Sequence, residues 1–227
     1  MMPDRDTLYY ELQDALQAGG CPLCRIGERA GIRYLDTLNY EGVNDPGLRR
    51  ALRSARGLCH GHAWQWTHLR GSPLGVAIVY QNLVKDLIET LESSEPIVAR
   101  GRGSRRQPAG RLTTTGHCPA CRAADEAVER YGLTLLAHLE RPELGQAYAA
   151  AGGLCLSHLR LVLLQADERQ ALTVQAWQLA VYRILHGQLA EFIRKHDHRF
   201  RQEPFGDEKD SWTRAVASLA GAADAES

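Results

Sequence analysis

The 227-residue sequence has no surplus of either charge, with 27 lysines and arginines against 27 aspartates and glutamates. This excludes a basic nucleic-acid coat or an acidic tail as the global design and leaves local patches to be judged one by one. The longest apolar run near mid-chain, Leu74 to Tyr80, falls far short of the roughly 20 residues that a membrane helix needs. The first twenty residues alternate charge and apolarity and lack the continuous apolar stretch of a secretory signal. These two absences lead to the expectation of a soluble cytoplasmic protein with no membrane partner. No run of four or more residues alternates as a strand does, so the expected fold class is all-α. There is no Ser-His-Asp ordering, phosphate loop or HExxH pattern, so no named enzyme chemistry has support and a non-enzymatic role is favoured. No cysteine falls outside a repeated motif, as shown below. With 44% hydrophobic residues the chain has enough apolar material for one sizeable core or two small ones, which rules out disorder as a whole-chain description.

What is present is dominated by an internal repeat. CPLC at 21–24 recurs as CPAC at 118–121, and GLCHGH at 57–62 recurs as GLCLSH at 153–158. Between the motifs Glu28 matches Asp125, Tyr34 matches Tyr131, Pro46 matches Pro142 and Leu48 matches Leu144. Tyr80 and Trp177 stand at corresponding places in a long apolar-periodic segment of each half. We therefore expect two related helical units, 1–93 and 117–227, the second with a C-terminal extension, an arrangement that a pseudo-twofold axis would accommodate. Between them, 94–116 is rich in arginine and glycine without apolar periodicity and reads as a linker or loop.

Helix signals punctuate both halves. Asp6 to Ala18 reads as a first helix stopped by Gly19 and Gly20, and Pro22 suits a helix start because its missing N–H would be unpaired there anyway. A helix to about Tyr40 follows, then Pro46 to Arg56 ended by Gly57. A longer helix from Ser72-Pro73 carries Val76, Val79, Leu83, Leu87 and Leu91 at spacings of three or four. The last long helix, near Asp167 to Lys195, carries Trp177, Val181, Ile184, Leu185, Leu189, Phe192 and Ile193, and these stripes are expected to be core.

All six cysteines belong to the duplicated motifs. Each half supplies CxxC, about 34 intervening residues, then Cys-x-x-His: Cys21, Cys24, Cys59 and His62 in the first, Cys118, Cys121, Cys155 and His158 in the second. Each set has the composition of a closed Cys3His zinc site, so the expectation is one structural Zn²⁺ in each half. A Cys and a His three apart at a helix start lie on one face, and a two-residue gap lets a turn aim both thiolates at one ion. Four protein ligands leave no open position for substrate, which makes the ions structural. Each could contribute an apparent ~10 kcal/mol to folding. Buried reduced cysteines, disulfides, a thioredoxin-like CxxC and an iron–sulfur cluster are the alternatives. His60 matches Leu156 and His117 matches Gly20, so neither is expected to be a ligand; His68, His138 and His186 read as satisfied helix residues.

Arg49, Arg50, Arg53 and Arg56, with the linker arginines, could form a phosphate-binding face for nucleic acid, or a solvated helix whose arginines pair with acids elsewhere. Trp64 and Trp66 are expected to pack against the metal knuckle rather than to stack bases. The segment from His196 to Trp212 gathers His196, Asp197, His198, Arg199, Glu203, Asp207, Glu208 and Asp210. It reads as a charged connector, with Asp207 capping a last helix that carries Trp212, Val216 and Leu219 back to the core; an acid–base or metal cluster is the alternative.

The paired CPxC and GLCxxH motifs together with the KHDHRFRQEPFGDEKDSW tail resemble an uncharacterised bacterial family of helical proteins classed only as a domain of unknown function. The resemblance covers nearly the whole chain. It implies a bacterial cytoplasmic protein and brings no activity, substrate or cofactor with it. From the residues, the expected function is a zinc-binding helical module that interacts with a protein or nucleic-acid partner. A zinc-thiolate redox sensor and an enzyme using the C-terminal cluster are the alternatives.

Overall fold

The computed structural model describes residues 4–40, 45–92, 116–200 and 202–222. Among them there are ten α-helices and no strand: α1 (Thr7–Gln17), α2 (Pro22–Tyr40), α3 (Pro46–Ala55), α4 (His60–His68), α5 (Ser72–Glu92), α6 (Pro119–Ala137), α7 (Pro142–Ala151), α8 (Leu156–Gln165), α9 (Glu168–Lys195) and α10 (Ser211–Ala220). No helix of the described residues is long and apolar enough to cross a membrane. The expected linker, 94–116, lies outside the described residues except for Gly116.

The helix ends follow local chemistry. Asp6 caps α1 by accepting from the Tyr9 N–H, and Asp45 caps α3 by accepting from the Leu48 N–H, with Pro46 in the first turn. Asp167 and Gln170 form a reciprocal capping box at the start of α9. Helices α2 and α6 both begin on the proline of a CPxC motif and are both 19 residues long. Helices α3 and α7 both begin on a proline and are both 10 residues long. They end differently: α7 closes on Gly152 at φ +88°, whereas α3 closes on Arg56 at φ +54°, the left-handed region that a side chain disfavours.

Two compact units divide the chain, one running to Glu28 and resuming at Asp125, the other holding Arg29–Ala124. They do not coincide with the sequence halves, because α2 and α6 each begin in one unit and end in the other. In the second unit Leu35, Leu38, Leu52, Trp66, Val79, Leu83 and Ala120 form the core. In the first, Tyr9, Leu12, Leu16, Leu135, Leu144, Leu154 and Tyr148 are fully buried or nearly so. The long helices outrun these cores. Val174, Gln178 and Val181 of α9 are buried, but Ile184 and Ile193, expected to be core, are 61% and 69% exposed. At about 1.5 Å per residue a 28-residue helix spans about 42 Å, more than a small unit can cover. Leu91 at the end of α5 is exposed for the same reason.

Candidate metal centres

The GLC turns are fixed before their thiols are. In the first unit the buried Gln178 of α9 uses both ends of its amide: its Oε1 accepts from the Leu154 N–H (3.0 Å) and from the Tyr148 hydroxyl, and its Nε2 donates to the Leu154 carbonyl (3.2 Å). This holds the backbone one residue before Cys155. Gly153, at φ +74°, has room only for hydrogen, since a Cβ there would meet Gln178 Oε1 at 2.6 Å. The approach to Cys21 is tied beside it by the Gly20 N–H, which donates to the Ala151 carbonyl at 2.7 Å. In the second unit a similar tie, one residue earlier in each segment of the repeat, runs from the Gly116 N–H to the Ser54 carbonyl at 3.1 Å, and the Tyr80 hydroxyl bonds the backbone of Leu58 before Cys59.

These turns deliver four ligand groups to each of two points. Cys21, Cys24, Cys155 and His158 form one cluster, and Cys59, His62, Cys118 and Cys121 the other; within each, all ligand atoms lie within 4.8 Å of one another. In the first, Cys24 Sγ and Cys155 Sγ are 3.7 Å apart, and His158 Nδ1 is 3.4, 3.4 and 3.2 Å from the sulfurs of Cys21, Cys24 and Cys155. In the second, Cys59 Sγ and Cys121 Sγ are 3.5 Å apart, and His62 Nδ1 is 3.2, 3.7 and 3.3 Å from the sulfurs of Cys59, Cys118 and Cys121. A tetrahedral ion with bonds of about 2.3 Å to sulfur and 2.0–2.1 Å to nitrogen has edges of about 3.8 Å between sulfurs and about 3.5 Å from sulfur to nitrogen. Both clusters fit that figure. The cysteines are free, and separations of 3.5 and 3.7 Å are far beyond a disulfide bond of about 2.05 Å.

The eight residues are those expected from the sequence, but their grouping is not. Cys21 and Cys24 meet Cys155 and His158 instead of Cys59 and His62, and Cys118 and Cys121 meet Cys59 and His62 instead of Cys155 and His158. Nearness in sequence is a weak guide here, because closing a loop of about 130 residues rather than about 35 costs only about 1 kcal/mol more. Helix geometry decides it. Two turns after Cys24 along α2 it is Gly31, with no side chain, that meets His62.

Charge explains why such a cluster wants a cation. Three thiolates this close cannot all be ionised unaided, so the thiols are driven apart. Burial raises the Cys118 thiol, but hydrogen bonds from His62 and backbone N–H groups outweigh it and bring it down to about 6. Burial and then Cys59 push Cys121 up to about 12. In the other cluster hydrogen bonds from Cys21 and Cys24 hold Cys155 low, while those from Cys155 and Cys24 raise Cys21. His62 rises to about 9, chiefly through Cys118, and His158 rises to about 9 against the opposing effect of burial, through Cys155 and Cys24. A dication at the centre would replace these shared protons and let every sulfur ionise.

Gly31 and Gln178 were invisible as site residues in the sequence, since neither carries a ligand atom. A Cβ at Gly31 would meet His62 Nε2 at 2.9 Å. In an ordinary helix interior Gly→Ala stabilises by roughly 1 kcal/mol. Here Gly31→Ala is expected to lower metal retention at the second cluster and leave the first unchanged, because a ligated ring cannot swing away. Equal retention at both, by competition with a chromophoric chelator, would show that His62 is not held. Gln178→Leu is expected to cost about 1–3 kcal/mol in urea unfolding, because it strands the Leu154 amide and the Tyr148 hydroxyl in the core.

His60 and His117 are exposed and belong to neither cluster. His138 is buried and accepts from Arg141 at 3.1 Å, and His68 bonds the Trp64 carbonyl region of its own helix at 2.8 Å. His186 is exposed on α9. Trp66 is fully buried in the core, but Trp64, expected to pack against the knuckle, is 57% exposed. It lies on the opposite side of the short α4, two residues away. On α3, Arg53 pairs with Asp86 at 2.6 Å, and Arg50 reaches the Pro46 carbonyl at 3.4 Å; Arg49 and Arg56 also have partners. The C-terminal polar cluster is paired within itself. Arg194 bridges Glu191 and Glu203, Asp197 holds Arg199, and Lys195 binds the buried Glu208 at 2.6 Å, and the rings of Phe192, His196 and Phe205 pack against one another at tilted angles. Asp207 does not cap α10. Asp210 occupies that position, and its carboxylate turns to Arg214 at 2.8 Å.

A family model described as a family of unknown function (DUF6062) matches residues 6–226. A protein from Caldicellulosiruptor sp. (strain Rt8B.4), described as an uncharacterized 23.9 kDa protein in the xynA 3′ region, is 27% identical over 207 residues, covering 88% of this chain and 95% of that one. No solved structure matches the chain.

Proposed function

We propose that this chain, which belongs to the DUF6062 family of unknown function, is a non-enzymatic interaction module held together by two structural Zn²⁺ ions. The observation that carries the reading is the tetrahedral spacing of three sulfurs and one imidazole nitrogen at each cluster. Thiolates with imidazole in this geometry favour zinc among the divalent metals, and four protein ligands close the coordination shell against substrate. The repeated helix order and the equal lengths of α2 and α6 and of α3 and α7 support an origin by duplication of one helical unit, after which each CPxC came to serve the CxxH of the opposite copy. A bacterial cytoplasmic location suits six reduced thiols.

Protein is the favoured partner over nucleic acid. The α3 arginines that would meet phosphate are engaged within the fold, whereas Leu74, Val84 and Ile88 of α5 and Trp212, Val216 and Leu219 of α10 are exposed. Apolar groups displayed along helix faces suit a protein surface better than a polyanion. The test of the metal reading is elemental analysis of the purified, untagged protein. Two zincs per chain are expected; iron, or six free thiols without metal, would overturn it. Salt-sensitive retention of mixed-sequence RNA or DNA would move the partner assignment to nucleic acid.

A further inference from the structure

The two clusters share a ligand set but differ in shelter. In the first, Cys155 is 2% exposed, and the end of α10 covers Cys24, with the Cβ position of Gly221 3.8 Å from its sulfur. The turn before Cys155 is locked by Gln178. In the second, none of the four ligands is buried and Cys59 is the most open. The residue corresponding to Gln178 is Gln81, which is exposed, so Leu58 is held by a bond to the Tyr80 hydroxyl, where Leu154 is bonded at both its N–H and its carbonyl. The turn into Cys59 also starts from Arg56 in the left-handed conformation, where the first unit has glycine. Openness, a looser turn and backbone strain all fall on one centre.

We infer that the Cys59–His62–Cys118–Cys121 centre is a modification site, at which a peroxide-class oxidant joins Cys59 to Cys121 and frees the ion, while the other centre keeps its own. The inference rests on the metal reading above. The Cys59 sulfur attacks one peroxide oxygen, the O–O bond breaks, and hydroxide leaves from a sulfenic acid on Cys59. The Cys121 sulfur, 3.5 Å away, attacks the Cys59 sulfur and expels the second hydroxide. Two protons from solvent complete two waters, and the two electrons that reduce the peroxide come from the pair of sulfurs. The 3.5 Å gap must close to about 2.05 Å, which requires movement of the turn before α4. His62 and Cys118 are then left as two ligands, too few to retain the ion.

The experiment titrates the metal-loaded full chain with hydrogen peroxide, following release with a chromophoric chelator and mapping thiols by alkylation and peptide mass. One ion per chain is expected to leave, with a Cys59–Cys121 disulfide and with Cys21, Cys24 and Cys155 alkylated only after denaturation. Dithiothreitol and zinc should restore the second ion. Loss of both ions together, oxidation at the first centre before the second, or no release at doses that oxidise glutathione would each overturn the inference. A chain that carries no metal before any oxidant is added would overturn the metal reading itself and this inference with it.

Discussion

Stripping both ions with a strong chelator is expected to abolish cooperative thermal unfolding and much of the helical circular dichroism, and returning zinc to restore them. The size follows from comparing two quantities. A structural zinc contributes an apparent ~10 kcal/mol, and a whole domain has a net stability of about 5–15 kcal/mol. Each unit here is small, and its cluster joins segments that few other contacts tie together: the start of α2 to the start of α8 in one, the start of α4 to the start of α6 in the other. Removing the ion leaves three thiols and an imidazole sharing protons in a half-buried space, so the ligands themselves oppose compaction. A melt that is unchanged after verified metal removal would exclude a structural role.

Metal retention should also depend on pH with a definite sign. Ligands bind metal deprotonated. Between about pH 6 and 9 the cation-free second cluster holds protons on Cys121, raised to about 12, and on His62, raised to about 9, while Cys118 at about 6 has already lost its own. Binding an ion in that window displaces at least those two protons, so affinity should fall by at least about a hundredfold for each pH unit lowered. Competition against a chelator of known pH dependence reads this directly; a flat profile would mean that other atoms hold the metal.

Much of this was legible in the sequence, and what was not has a physical reason. Helix boundaries came through because Asp6, Asp45, Pro46, Gly57 and Asp167 act on their neighbours alone. The cysteines and histidines that gather into the two clusters stood out because thiol and imidazole chemistry is carried by residue type and repeated spacing. Their grouping did not, since it depends on where α2 and α6 travel, and a sequence pattern records the period of a helix but not its destination. The exposure of Ile184 and Ile193 was hidden for a related reason: apolar periodicity says which side of a helix is greasy and not how far the core extends along it. Gln178 and Gly31 act through an amide bonded to a backbone 24 residues earlier in the chain and through the absence of a Cβ, neither of which leaves a mark in one sequence.

The crossed grouping makes the sharpest prediction for the full-length chain, because it decides which pairs of substitutions are redundant. Cys24→Ser and His158→Ala each remove a ligand of the first cluster, so either should leave one tightly held ion, and the double variant should also keep one. Cys24→Ser combined with His62→Ala strikes both clusters and should leave none. Grouping within each half predicts the reverse: Cys24 with His62 would spare one ion, and Cys24 with His158 would spare none. The energies should follow, since substitutions within one metal site act as a unit and those in separate sites add. Having lost one ion, the Cys24→Ser and His158→Ala pair should unfold at nearly the same urea midpoint as either single variant. The Cys24→Ser and His62→Ala pair should lose close to the sum, on the order of 20 kcal/mol of metal-linked stabilisation at ~10 per site, which is more than a domain of this kind possesses. That variant is therefore expected to be unfolded at 25 °C, and alkylation of the soluble single variants decides the grouping even if it cannot be purified folded: with the remaining ion bound, Cys59, Cys118 and Cys121 should be spared together in Cys24→Ser, and Cys21, Cys24 and Cys155 together in His62→Ala.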